Sequence, residues 1–123
     1  MSLTSNMEDY LEAIFELDKN RRAVRVKDVA EKLEVTMSSV NGALKTLEAQ
    51  GLITHKKYDY IELTDTGMKQ ASKIASKHHV IYIFLKECLG VDADTAETEA
   101  CRIEHVLCTE TIEKLENYLL MNP

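Results

Sequence analysis

The chain has 123 residues, of which 45% are apolar and 29% charged, with one proline and four glycines. This composition excludes an intrinsically disordered or collagen-like chain and predicts one ordinary domain, or two small ones that share a core. No apolar run approaches the ~20 residues of a membrane span, and no basic region followed by an apolar stretch opens the chain, so we expect a cytoplasmic protein without membrane association.

The net charge of −6 averages two unlike regions. Residues 19–57 contain nine Lys/Arg and four Asp/Glu, hence +5, whereas the remainder contains six and seventeen, hence −11. This asymmetry is typical of a phosphate-binding module joined to an acidic, cation-binding module. A solvated surface of mixed charge is the alternative explanation.

Apolar periodicity and capping residues predict the elements of the first half in order. A first helix over residues 6–18 follows a capping box at Ser5 and Glu8, and the polar, basic stretch 19–25 leads to a short second helix over 26–33. Thr36 is the expected N-cap of a third helix over 37–50, with Gly51 as its left-handed stop. Strands at 52–54 and 60–63 around a charged turn at 55–59 then predict a wing.

Helices alone are predicted for the second half. Thr64 caps a long helix over 65–89 that Gly90 ends, and Asp92 or Asp94 caps a helix that continues to Cys108. Thr109 is the expected cap of a last helix over 110–120. The predicted fold is therefore mainly α with a small β-wing: a winged helix-turn-helix over 1–64 and an all-helical metal-binding and dimerisation domain over 65–123.

Potential metal ligands recur at helical spacing in the second half. Glu97, Cys101, Glu104, His105 and Cys108 have offsets of 0, 4, 7, 8 and 11, which places them along a single stripe of one helix. The apolar residues of the opposite face are expected to pack inward or against a partner subunit; they are Ala100, Ile103, Val106 and Leu107.

A divalent transition metal needs several N, O or S donors at one point. Cys101, Glu104 and His105 offer three, and the odd count of three cysteines favours reduced thiols. The long helix offers a candidate fourth donor at His78, and the first helix carries two carboxylates on one face. These two, Asp9 and Glu12, are spaced to join the N-terminal module to the metal. Singly, each has a simpler explanation, such as a core cysteine or a helix N-terminal charge pattern.

The third helix carries the residue types of a recognition helix. Small hydroxyls and amides near its N-terminus suit base edges in the major groove, while basic residues nearby suit phosphates. The candidate DNA-binding residues are Thr36, Ser38, Ser39, Asn41 and Lys45 on or near this helix, and Arg25, Lys27, Lys56 and Lys57 outside it. A helical hairpin used for protein contact is the alternative.

Four segments carry a resemblance to a known family. EDYLEAIFEL (8–17), VKDVAEKLEVTMSSVNGALKTLEAQGLI (26–53), LTDTG (63–67) and above all EACRIEHV (99–106) resemble the diphtheria toxin repressor and manganese transport regulator family. The resemblance implies a homodimeric repressor that binds Fe(II) or Mn(II), and then a palindromic operator, to switch off metal-uptake genes. Since the chain ends at Pro123, we expect a short form without the SH3-like domain of longer members.

The resemblance assigns ligands residue by residue. Asp9, Glu12, His78, Glu104 and His105 match the pattern of the manganese branch, which has a carboxylate where this chain has a cysteine. The iron branch has that cysteine, Cys101, but a methionine in place of the aspartate, so the site resembles a hybrid of the two. Thiolate favours Fe(II), Co(II) or Zn(II), carboxylates favour Mn(II), and Ni(II) is a further expected substitute.

Two further consequences concern a second metal and the rival functions. A second, ancillary site of the iron branch would use His78 and Glu97, but Tyr82 replaces its other acidic ligand, so we expect that site to be degraded or rearranged. A metal-independent winged-helix dimer is the main rival function. A hydrolase with Glu104 as general base is disfavoured, because no nucleophile elbow, phosphate loop or HExxH helix occurs. We therefore expect no enzymatic activity.

Overall fold

A computed structural model of the protein describes residues 3–20, 23–55 and 60–122. These form six α-helices and three short strands: α1 Ser5–Asn20, β1 Val24–Arg25, α2 Val26–Leu33, α3 Met37–Ala49, β2 Ile53–His55, β3 Tyr60–Leu63, α4 Asp65–Ile83, α5 Ala93–Ile103 and α6 Thr109–Met121. The chain divides into two compact units, Met1–Ser72 and Lys73–Pro123, so the boundary falls within α4. Among the described helices, none has the length and apolarity that spanning a membrane requires.

The cap of helix α1 is Thr4, one residue before the Ser5 that the sequence predicts. The hydroxyl of Thr4 accepts a hydrogen bond from the Met7 backbone N–H at 3.2 Å, and the Glu8 N–H donates to the Thr4 carbonyl. Thr4 therefore satisfies the first orphan donors of the helix. The predicted capping box at Ser5 and Glu8 is wrong, because Ser5 already lies inside the helix.

Helices α2 and α3 form the predicted helix-turn-helix. Glu34 ends α2 in the left-handed region at φ 55°, and Thr36 opens α3 by accepting from the Ser39 N–H at 3.1 Å. Only three residues, 34–36, separate α2 from α3, so the connection between the two helices is short. The core of this unit is built from residues less than 2% exposed: Leu11, Ile14, Val24, Val26, Val29, Val40, Leu44, Leu47, Ile53 and Ile61.

The wing is a three-stranded antiparallel sheet in the order β1-β3-β2. Strand β3 is central, with Ile61 opposite Val24 of β1 and opposite His55 of β2. The sequence predicted β2 and β3 but not β1, since two residues are too few to show an alternation. The predicted turn residues at 56–59 lie outside the described residues.

The helices of the second unit pack around Ile81, Leu85, Ala96, Ala100 and Ile112. α4 follows its cap Thr64, whose hydroxyl accepts from the Gly67 N–H at 3.0 Å. A π-helical turn, Phe84–Cys88, continues α4, and Gly90 reverses the chain at φ 73°.

The largest departure from the predicted elements concerns α5. Asp92 caps it by accepting from the Thr95 N–H at 3.1 Å, but it ends at Ile103 instead of continuing to Cys108. The N–H groups of Val106 and the next residue both bond to the Ile103 carbonyl, which closes a tight turn. Cys108 then stands at the N-cap of α6, so the predicted cap Thr109 is also wrong, because it is the first helical residue.

Candidate metal centre and nucleic-acid interface

His78, on α4, lies at the centre of a polar cluster in the second unit. Its Nδ1 is 3.0 Å from Oε1 of Glu104, and its Nε2 is 3.0 Å from Oε2 of Glu97. Glu97 belongs to α5, while Glu104 is the residue just after it and keeps helical backbone angles of φ −56° and ψ −28°. Two turns of helical backbone therefore place both carboxylates on one side of α5, facing one imidazole.

Cys101 lies between these carboxylates along α5 and joins the same cluster. The ligand atoms of His78, Glu97 and Cys101 all lie within 4.8 Å of one another, and Cys101 as a whole residue is half-buried. Glu104 forms the inner part of the cluster, since its residue is 2% exposed and its Oε2 is buried. The cluster thus runs from a solvent-facing carboxylate to a buried one.

The cluster strongly favours a positive charge on His78. Hydrogen bonding with Cys101, then with Glu104 and Glu97, raises the pKa of His78 to about 11, although burial acts in the opposite direction. At neutral pH the ring is therefore an imidazolium that donates from both nitrogens. Without a metal, the protonated His78 ring bridges the two carboxylates, and a metal that binds the ring must displace one of its protons.

The residues of the cluster fit a divalent transition metal. They combine one imidazole nitrogen, one sulfur and two carboxylates, which are the donors that such ions take from proteins. A buried carboxylate is costly unless a positive charge faces it, and Glu104 meets this condition through His78. A metal at this point would supply the same compensation.

The other predicted ligands belong to other segments of the chain. Cys108 leaves the predicted stripe, because the chain turns after α5; its thiol hydrogen-bonds with Thr111, which lowers the pKa of Cys108. His105 is half-buried in the turn that follows Glu104. In the first unit, Asp9 and Glu12 are one turn apart on α1, with Asp9 half-buried and Glu12 buried.

Lys77 holds the turn after α5 beside the cluster, and the sequence did not predict this role. Its Nζ donates to the Leu107 carbonyl at 3.2 Å, across 30 residues of sequence. Consecutive residues of α4, Lys77 and His78, therefore hold the two ends of the turn that follows α5. No sequence pattern marks this contact, since its acceptor is a backbone carbonyl.

One face of α3 is buried and the other is exposed. Val40, Ala43, Leu44 and Leu47 pack into the core, while the predicted DNA-binding residues Thr36, Ser38, Ser39, Asn41 and Lys45 are all exposed. The hydroxyl of Thr36 also donates to that of Ser39 at 3.0 Å. Outside the helix, Arg25 and Lys27 are exposed, whereas Lys56 and Lys57 lie outside the described residues.

Comparison with known proteins matches both halves of the chain to one family. Residues 2–61 match the family described as "Iron dependent repressor, N-terminal DNA binding domain", and residues 64–121 match "Iron dependent repressor, metal binding and dimerisation domain". These two matches cover the winged helix-turn-helix and the unit that holds the His78 cluster.

Individual relatives agree with this assignment. An uncharacterized HTH-type transcriptional regulator from Methanocaldococcus jannaschii is 38% identical over 95% of this chain and 94% of its own length. The HTH-type transcriptional regulator MntR from Lysinibacillus sphaericus is 33% identical over 91% and 80%. The structure of the manganese regulator SloR matches with a TM-score of 0.83 and 32% identity, over 97% of this chain but 54% of SloR. The chain therefore belongs to the diphtheria toxin repressor and manganese transport regulator family, whose members are metal-dependent, DNA-binding transcriptional regulators and not enzymes.

Proposed function

We propose that the protein is a homodimeric repressor that binds Fe(II) or Mn(II) at the His78 cluster and then a palindromic operator of metal-uptake genes. The observation that carries the proposal is the convergence of His78, Glu97, Cys101 and Glu104 within one unit. The family is described as an iron-dependent repressor, whereas SloR is described as a manganese regulator. The choice between the two metals therefore has to come from the ligands of this chain.

We expect Cys101 to set the metal preference. A thiolate is a softer ligand than a carboxylate and shifts preference towards Fe(II), with Co(II), Ni(II) or Zn(II) as substitutes. Glu97 and Glu104 are hard ligands that suit Mn(II). With one thiolate among carboxylates, we expect Fe(II) to bind better than Mn(II), and a carboxylate in place of the thiol to reverse that order.

The proposed ligand set extends beyond the cluster to three further residues. The family's ligand pattern adds His105 from the same turn, and Asp9 and Glu12 from α1 of the DNA-binding unit. These acidic groups would approach one another around a divalent cation, whose positive charge would offset their repulsion. The residues of α1 then restrict where each winged unit lies, which favours a spacing that fits two half-sites about one helical turn (~34 Å) apart. Activation requires only that the metal binds this arrangement better than others.

A groove of the second unit is our proposed dimer face. It has a volume of about 660 Å³ and is lined mainly by apolar side chains, among them Phe84, Ile103, Leu107 and Leu115. Two of the apolar residues that the sequence predicts to pack inward or against a partner subunit differ in exposure. Ala100 is fully buried, while Val106 is 77% exposed. An exposed apolar surface of this kind is typical of a protein interface.

The decisive experiment compares wild type with Cys101→Glu. Chelated protein is titrated anaerobically with Fe(II) or Mn(II), and binding to an operator selected in vitro from random duplexes is followed by fluorescence anisotropy at fixed salt. Cys88→Ser is the matched control, because it removes an exposed thiol outside the cluster.

We expect wild type and Cys88→Ser to respond best to Fe(II), and Cys101→Glu to respond best to Mn(II). Equal metal preferences in all three proteins would remove Cys101 from the ligand set. DNA affinity that neither metal changes in any of them would contradict metal activation and support a metal-independent DNA-binding dimer.

A further inference from the structure

We propose that Tyr60 positions the guanidinium of Arg25 for contact with a DNA phosphate. The inference rests on the proposed DNA binding and adds a residue that the sequence did not suggest. The ligand is the sugar-phosphate backbone of double-stranded DNA, whatever its base sequence.

Arg25 and Tyr60 form a cross-strand pair in the wing. They are directly opposite in the register of β1 and β3. The Nη2 of Arg25 donates to the Tyr60 hydroxyl at 3.1 Å, and the guanidinium carbon lies 5.2 Å from the centre of the Tyr60 ring. A hydrogen bond and a cation–π contact therefore act on the same guanidinium.

The backbone of Arg25 is held as well as its side chain. Its N–H donates to Oδ2 of Asp28 at 3.0 Å, and Asp28 is buried, with 8% exposure. Arg25 is also the residue from which α2 begins. The base of the side chain is thus held by α2 and its tip by β3, while the residue as a whole stays exposed.

Such restraint suits a phosphate contact. A guanidinium carries five N–H donors in a planar fork, so the bond to Tyr60 uses one of them. An arginine that is already ordered loses less conformational freedom when it binds, which strengthens the contact. Tyr60 is half-buried in β3, and its backbone is paired with that of Arg25, so the sheet holds the base of its side chain.

The competing explanation is that the pair only fastens β1 to β3. In that case Tyr60 would support the wing whether or not Arg25 carries a charge. The two explanations differ in a double-mutant cycle, because a positioning residue loses its effect once the positioned group is gone.

The experiment measures the affinity of the metal-saturated full chain for a labelled non-specific duplex over a series of salt concentrations. The variants are Arg25→Ala, Tyr60→Leu, Tyr60→Phe and the double variant Arg25→Ala/Tyr60→Leu. Lys86→Ala, which removes an exposed charge in the second unit, is the control. Thermal melting checks that each variant folds, and Tyr60→Phe, which removes only the hydroxyl, keeps the test valid if Tyr60→Leu does not fold.

We expect Arg25→Ala to reduce the slope of log affinity against log salt by about 0.9 for each protomer in contact. Tyr60→Leu should weaken binding roughly 3- to 10-fold in wild type, Tyr60→Phe should weaken it less, and Tyr60→Leu should have no further effect beside Arg25→Ala. Lys86→Ala should match wild type.

Three results would overturn the proposal about Tyr60. One is a loss from Tyr60→Leu that is equally large with and without Arg25, and another is unchanged binding by both Tyr60 variants. The third is an unchanged slope for Arg25→Ala, which would remove the pair from the DNA interface. Metal-activated operator binding is judged separately by the Fe(II) and Mn(II) titration.

Discussion

Replacing Glu104 by glutamine tests the metal centre at its most buried point. The substitution keeps the shape of a side chain that is 0% exposed but removes its charge, 3.0 Å from Nδ1 of a histidine that is 14% exposed. Two effects follow, one on the metal-free protein and one on the response to metal.

In the metal-free protein, the lost interaction is a hydrogen bond between charged groups, worth about 1.5–3 kcal/mol net. We do not expect the roughly 3–5 kcal/mol of a completely broken buried ion pair, because Glu97 and Cys101 still bond to His78. For a chain of this size, about 3–6 °C in Tm corresponds to each kcal/mol. Glu104→Gln should therefore melt about 5–18 °C below wild type.

The larger effect concerns stabilisation by metal. Co(II) at about 100 times its Kd stabilises a folded protein by about 2.7 kcal/mol. Loss of a group that merely orients a ligand weakens metal binding about 10- to 100-fold. Loss of a ligand itself should therefore weaken metal binding by about 100-fold or more. At the same Co(II) concentration the variant then gains only about 0.4 kcal/mol, a rise of about 2 °C.

The assay is thermal unfolding followed by circular dichroism, with and without Co(II) under anaerobic conditions. Glu99→Gln is the control, because it removes the same charge from an exposed position of α5. It should keep both the wild-type Tm and the wild-type rise with Co(II). If Glu104→Gln also keeps the full rise, Glu104 is not a ligand and its burial serves only to pair with His78.

Three further predictions concern the proton, the packing and the turn. Because the pKa of His78 is about 11, metal binding at pH 7 should release one proton from its ring, and this proton alone should make the metal affinity rise about tenfold per pH unit. A pH-indicator dye should show one proton fewer released by His78→Gln than by wild type. Gly67→Ala would place a methyl group 1.9 Å from the Leu52 carbonyl oxygen, so urea unfolding should show a free energy of unfolding lower by about 3 kcal/mol or more. Gly42→Ala, where the added methyl group meets nothing within 4 Å, should raise the free energy of unfolding by about 0.5–1 kcal/mol. Lys77→Met should weaken Co(II) binding about tenfold, measured by a direct Co(II) titration, and Lys77→Arg should restore it. Equal affinities would show that metal binding does not need the Lys77 contact with the turn after α5.

Local sequence patterns were sufficient for most of the first unit. The predicted second helix coincides with α2, and Thr36 caps α3 as expected. Both depend on interactions within a few residues, namely apolar periodicity and a hydroxyl three residues before its donor. The short strand β1 was missed, because it is defined only by pairing with β3, more than 30 residues later.

The sequence likewise predicted the metal centre only in part. The spacing of Glu97, Cys101 and Glu104 placed these donors on one side of a helix, and the structure retains that arrangement. The wrong expectation for Cys108 arose because a helical stripe has no internal sign of where the helix stops. Its end depends on the turn after Ile103, which bonds to the distant residue Lys77.

The sequence alone thus determined the residue types, their helical phase, the winged helix-turn-helix outline and the family resemblance. These properties depend on side chains that lie within one or two helical turns of each other. Only the tertiary structure decided that His78 meets Glu97 with one ring nitrogen and Glu104 with the other, and that Tyr60 supports Arg25. Such contacts span 19 to 35 residues, and chain packing rather than local preference brings their partners together.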